Sequence, residues 1–209
     1  QAADGLGGRR VMNDPAERLS RQMRFIVEMD RLKGVLRRTY TADGSRHENS
    51  AEHSWHIALM AVVLAEYAPA GTDMSRVVKM LLVHDLVEID AGDTYCYDKV
   101  AAQDKQARER AAADRIFALL PADQAAEVRG LWDEFEAMST PEARFANAMD
   151  RLEPVLIHPA NGGKSWSEHN ITRDQVIARN CLIERGSPTL WAYARQVIDD
   201  AVARGILAR

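Results

Sequence analysis

The chain has 209 residues, 46% of them hydrophobic and 28% charged, proportions that fit one compact soluble domain and exclude a disordered or fibrous chain. Its 27 Lys plus Arg stand against 31 Asp plus Glu, a formal net charge of −4, so no global basic field exists to hold a nucleic acid polymer or an anionic membrane. An anionic ligand must be captured locally.

Gln1 to Gly8 is rich in Gly and Ala and has no apolar h-region. Residues 1–12 are therefore expected to be a mobile arm or a cloning remnant, not a signal peptide, and residues 13–209 a single domain. Apolar residues then recur at helical spacing, and no Asn-Gly hairpin signal sits between alternating runs. The expected fold is all-α, a bundle of about 6–8 helices. The first helix starts at Asp14-Pro15, an N-cap followed by proline, and turns Leu19, Met23, Ile26, Val27 and Met29 toward the core. The polar segment 37–49 reads as a long loop with a turn at Asp43-Gly44. Loops carried by rigid helices are where binding residues collect, which makes Arg37 and Arg38 candidates for an anion. A second helix begins near Ser50 and carries Trp55, Ile57, Leu59, Met60, Val63 and Leu64.

Ser75 to about Asp90 is the most apolar stretch and reads as one central helix, hydrophobic nearly all round. It nonetheless contains His84, Asp85 and Glu88, and unpartnered ionisable groups are costly to bury. A charged helix (104–119), a helix over 122–138 and one capped by Ser139-Thr140-Pro141 follow, the last placing Asp150 beside an apolar stripe before ending at His158-Pro159. Asn161-Gly162-Gly163 is a loop, and Pro188 to about Ala203 closes the domain. Trp132, Trp166 and Trp191 are expected to be core or interface anchors. Cys96 and Cys181 lack CxxC spacing, against both a thiolate metal site and a disulfide framework. With no apolar run near the ~20 residues that span a bilayer, the expected location is the cytoplasm.

On a helix, Glu88 lies one turn beyond His84 and Asp85 and on the same face. An imidazole and two carboxylates on a buried face require positive charge, which a divalent cation supplies. His53 near the start of the second helix and Asp150 in a later one complete a set of two His and two Asp from three helices, a recurrent way to hold a borderline divalent metal inside a bundle. Trp55, between His53 and His56, is expected to line the pocket. His56 reads as a core-edge or surface histidine and His158 as a helix-end histidine near terminal carbonyls. Gly162-Gly163-Lys164-Ser165 is not a phosphate loop, because Pro159 stands where the upstream glycine belongs.

The order His53, then His84-Asp85, then Asp150 resembles the signature of the HD-domain metal-dependent phosphohydrolases, and most closely their small branch that includes the 5'-deoxynucleotidases. The resemblance covers about 32–166 and extends to Leu32-Lys33 with Arg37, to Glu48–Ser54, and to His84–Glu88 leading to Gly92-Asp93. It implies that His53, His84, Asp85 and Asp150 hold one divalent ion (Mn, Co, Fe, Zn or Mg), that Glu88 and Asp93 serve the attacking water and the leaving group, and that Arg37 meets the phosphate of a nucleoside monophosphate. Where that branch carries an aromatic residue beside the arginine, this chain has Arg38, with Tyr40 the nearest ring. Two-metal relatives, the oxygen-activating di-iron branch among them, insert extra histidines, and none lies between His84 and His158 here. Guanosine alarmone pyrophosphohydrolases carry adjacent acids after the HD pair, whereas Ile89 separates Glu88 from Asp90. A metal-dependent sensor without turnover would not need both Glu88 and Asp93. A homodimer is expected from the resemblance and from apolar helix surface beyond the needs of one core.

Overall fold

The structure is a computed structural model that describes residues 14–98 and 100–209; the arm expected over residues 1–12 lies outside the described residues. The helices are α1 (Pro15–Met29), α2 (Ser50–Val63), α3 (Met74–Val83), α4 (Glu88–Ala91), α5 (Lys105–Phe117), α6 (Ala122–Ala137), α7 (Pro141–Ala160), α8 (Lys164–Glu168), α9 (Arg173–Asn180), α10 (Ile183–Gly186) and α11 (Pro188–Ala203). Of these, α4, α8 and α10 are single turns of four or five residues. The others form the expected all-α bundle. No described helix is long and apolar enough to cross a membrane.

Local chemistry sets the ends that matter. Asp14 accepts from the Ala16 amide with Pro15 in the first turn, and Thr140 accepts from the Ala143 amide ahead of α7, also with proline in its first turn. Asn49 and Glu52 form a reciprocal capping box at α2. That box fixes where α2 begins, and so the direction in which His53, one residue later, enters the interior.

The main core joins α2, α3, α6, α7 and the C-terminal helices through Ile57, Met80, Phe135, Phe145, Met149, Leu152 and Ile198. A second cluster built on Leu32, Leu86, Val87, Ile116, Phe117 and Trp132 ties α4 and α5 to α6. His84 and Asp85 sit where the chain passes from one cluster to the other, between Leu81 and Leu86. A Cβ at Gly186 would run into the Arg144 carbonyl, so glycine lets α10 lie directly on α7. Trp132, Trp166 and Trp191 are all buried.

Four expectations are corrected. The segment read as a loop is an antiparallel hairpin, β1 (Leu36–Tyr40) and β2 (His47–Asn49), with Leu36 opposite Asn49, Tyr40 opposite His47, and a register irregularity between. Its turn is pinned by Asp43, whose Oδ1 accepts from the Ser45 amide and hydroxyl, and Gly44 adopts φ +69°. The run from Ser75 to Asp90 is not one helix: beyond the His84 amide bond to the Met80 carbonyl, the bonds shorten to three-residue spacing, Leu86 to Val83 and Glu88 to Asp85. That tightened turn ends α3 at His84. Nor is α3 buried all round, since Val77, Met80 and Leu81 face the core while Leu82 faces out. Finally, α1 has no buried residue; Leu19, Met23, Ile26 and Val27 are exposed, Val27 by 72%.

Candidate metal centre

Four polar side chains from three parts of the chain meet at the seam between the two apolar clusters. Ligand atoms of His53, His84 and Asp150 lie within 4.8 Å of one another. His53 Nε2 stands 3.1 Å from Asp150 Oδ1, and His84 Nε2 stands 3.9 Å from the same oxygen. Asp85 joins through His84, its Oδ1 3.0 Å from His84 Nε2. The tightened turn after α3 places these two neighbours together.

The donor set fits a divalent cation. His84 Nδ1 lies 2.9 Å from the Leu81 carbonyl oxygen, an acceptor that requires the proton on Nδ1 and leaves a lone pair on Nε2. That Nε2 is buried with no hydrogen-bond partner among the described residues, yet it faces carboxylate oxygens of Asp85 and Asp150. Lone pairs that converge on one point repel unless a positive charge lies among them. His53 is likewise fully buried, and its Nδ1 faces two carboxylates, Glu48 Oε1 at 3.7 Å and Glu153 Oε2 at 3.6 Å. Carboxylates behind an imidazole orient the ring and raise its basicity toward a metal.

The same acids draw a proton onto His53. Burial and the Arg37 charge pull the His53 pKa down, but Asp150 and Glu153 outweigh them and hold it at about 10. Burial pushes Asp150 up, yet the hydrogen bond with His53 and the His53 charge keep it well below the ordinary range. Asp85 settles at about 2 in the same way, with His84 the main partner opposing burial. The centre concentrates carboxylates in a largely buried setting, the condition that favours a cation.

The hairpin supplies the guanidinium. Arg37 on β1 donates through Nε to Glu48 Oε1 on β2, 3.1 Å away, and through Nη1 to Asp85 Oδ2, also at 3.1 Å; Asp93 Oδ1 lies 4.0 Å from Nη1. Glu88 opens α4, is buried, and accepts from Ser50 Oγ at 2.6 Å. Burial and the Asp85 charge push its pKa well above the ordinary value. Burial also raises Asp93, with Arg37 opposing.

A cavity of about 120 Å³ opens over these groups, lined by Arg37, Arg38, Asp85, Glu88, Asp93 and Asp150 among others. The structure thus brings together every candidate named from the sequence except Trp55. That side chain is 63% exposed and does not line the cavity, because the residue two positions after inward-facing His53 falls on the outer face of the helix. Sequence reading assigned no role to Glu48 or Glu153. Glu153 is 1% exposed, and its position three residues after Asp150 on an apolar helix was the available signal. Glu48 was marked by the hairpin, which pairs it with Arg37.

Comparison with known proteins bears on the chain as a whole. A family model described as HD domain matches residues 29–191. The human 5'-deoxynucleotidase HDDC2 is 32% identical over 138 residues, which is 64% of this chain and 66% of the human protein; the match thus spans just under two thirds of that relative's length. A 5'-deoxynucleotidase of Schizosaccharomyces pombe, hdd1, is 28% identical, covering 63% of this chain and 67% of its own. The crystal structure of a predicted metal-dependent phosphohydrolase from Magnetospirillum magnetotacticum MS-1 superposes with a TM-score of 0.91 at 53% identity, covering 95% of this chain and 100% of that one.

Proposed function

The chain belongs to the HD-domain family, and from that premise we propose that it is a metal-dependent phosphomonoesterase that hydrolyses nucleoside 5'-monophosphates, deoxynucleotides foremost, to nucleoside and phosphate. The observation that carries this reading is the meeting of His53, His84 and Asp150 within ligand distance, with Asp85 against His84 and buried Glu88 in the same cavity. The named relatives support the substrate class.

His53, His84, Asp85 and Asp150 would hold the ion, which supplies a more acidic bound water and offsets charge on phosphoryl oxygens. Glu88 takes or orients the water proton. Burial raises its affinity for a proton, and Ser50 Oγ fixes the carboxyl. Asp93, just past the end of α4, returns a proton to the departing alkoxide. Arg37 meets the phosphate, its guanidinium held in plane by Glu48 and Asp85, and Arg38 adds positive charge on the cavity wall. Arg37→Lys replaces a fork that grips two oxygens with a point charge. Its kcat/KM is expected to fall about 10- to 100-fold, the worth of one charge-assisted hydrogen bond; an unchanged value removes Arg37 from phosphate binding.

The test is phosphate release from ribo- and deoxynucleoside 5'-monophosphates with Mn²⁺, Co²⁺, Zn²⁺ and Mg²⁺, with metal analysis of the purified protein. Release that needs one of these ions supports the reading, and no release from any of the esters overturns it.

A homodimer is part of the same proposal. Met23, Ile26 and Leu82 line an apolar groove between α1 and α3, and Val27, Val62 and Val63 are further exposed apolar side chains, as expected of an interface. Light scattering on an eluting peak is expected to give twice the mass of one chain, and Ile26→Glu to give the single mass. A single mass for the unaltered protein contradicts the pairing.

A further inference from the structure

The cavity continues beyond the metal ligands along α7. Asp150, Pro154 and His158, spaced four residues apart, all line it, and eight residues of helix place His158 about 12 Å along the axis from Asp150. His158 is 7% exposed. Its ring packs against Trp166 with centroids 4.8 Å apart, and Val155 lines the cavity beside it. Nδ1 is buried and has no hydrogen-bond partner among the described residues, an arrangement that destabilises a fold and calls for a reason.

The chemistry of the ring narrows that reason. Burial, helped by the Arg37 charge and opposed by Glu153, pushes His158 down to about 4, so near neutral pH the imidazole is uncharged. It then offers one N–H and one lone pair, which suits a neutral polar group and not a second phosphate. The apolar and aromatic surroundings formed by Val155, Pro154 and Trp166 suit the flat, weakly polar body of a nucleoside.

We propose that His158 is a specificity-determining residue that hydrogen-bonds the nucleoside part of the substrate, at the base edge or the 3'-hydroxyl, while the phosphate lies at the metal end of the cavity. This rests on the function proposed above. The test compares wild type, His158→Phe, which keeps the ring volume, and His158→Gln, which keeps a donor and an acceptor. The substrates are thymidine 5'-monophosphate, its 3'-deoxy analogue, and p-nitrophenyl phosphate, which has neither base nor sugar. The ratio of kcat/KM for thymidine 5'-monophosphate to that for p-nitrophenyl phosphate is expected to fall about 10-fold in His158→Phe, mainly through KM, and less in His158→Gln. Calorimetric affinity for thymidine itself is expected to weaken by a similar factor. If the 3'-deoxy analogue loses as much as the parent, the base edge is the contact; if it is already poor with wild type and insensitive to the substitution, the hydroxyl is. An unchanged ratio together with unchanged thymidine affinity overturns the proposal. Absence of turnover on every ester by the wild type instead overturns the function on which it rests.

Discussion

Asp85→Ala is expected to purify without retained divalent metal and to lose phosphate release by at least about a thousandfold, since ordinary water is then the only nucleophile. The carboxylate serves two partners, Oδ1 against His84 Nε2 at 3.0 Å and Oδ2 accepting from Arg37 at 3.1 Å. Removing it takes a proposed ligand from the ion and one of two hydrogen-bonded acceptors from a guanidinium that is only 13% exposed. Because a buried Arg deprived of an acceptor also destabilises the fold, Asp85→Asn provides the control: it keeps the shape and one acceptor oxygen but removes the charge. Metal content by atomic emission and circular dichroism on both variants separate loss of the ion from loss of the fold. A folded Asp85→Asn that retains metal and full turnover removes Asp85 from the ligand set.

Glu88→Gln should show the opposite pattern, metal kept and turnover lost. Glu88 is not among the side chains that converge with His53. Its Oε2 accepts from Ser50 Oγ, and burial and the Asp85 charge raise its affinity for a proton. The amide preserves size and burial yet cannot exchange a proton. The expected loss in kcat is about 10²- to 10⁴-fold, the range for a positioned acid or base, with metal stoichiometry unchanged. Equal loss of metal makes Glu88 a ligand, and unchanged kcat makes it structural.

Much of the centre is legible in the sequence because burial and charge conflict there. His84, Asp85 and Glu88 interrupt the most apolar run of the chain, and Asp150 sits beside the stripe of α7, so each marks itself by where it stands. What surrounds them is less legible. Apolar residues resume at helical spacing beyond His84-Asp85, so periodicity alone reads one helix where the backbone tightens into a turn. Strands of five and three residues are too short and too polar for alternation to register, although Asp43-Gly44 marks the turn that joins them. The amphipathic pattern of α1 is real, but a pattern shows only that one face is apolar. Whether that face meets this chain's core or another surface is decided by tertiary packing. Glu153 illustrates the same limit: an acid within an apolar helix signals burial, while its service to His53 Nδ1 at 3.6 Å depends on how α2 and α7 pack.

The central claim is that His53, His84, Asp85 and Asp150 gather around one ion. Anomalous diffraction from crystals grown with Mn²⁺, collected above and below the manganese edge, tests it directly. The account predicts a single strong peak bounded by the two imidazole Nε2 atoms and the two aspartate carboxylates. A peak lodged instead among Glu48, His53 Nδ1 and Glu153, or none within coordination distance of His84, would contradict it.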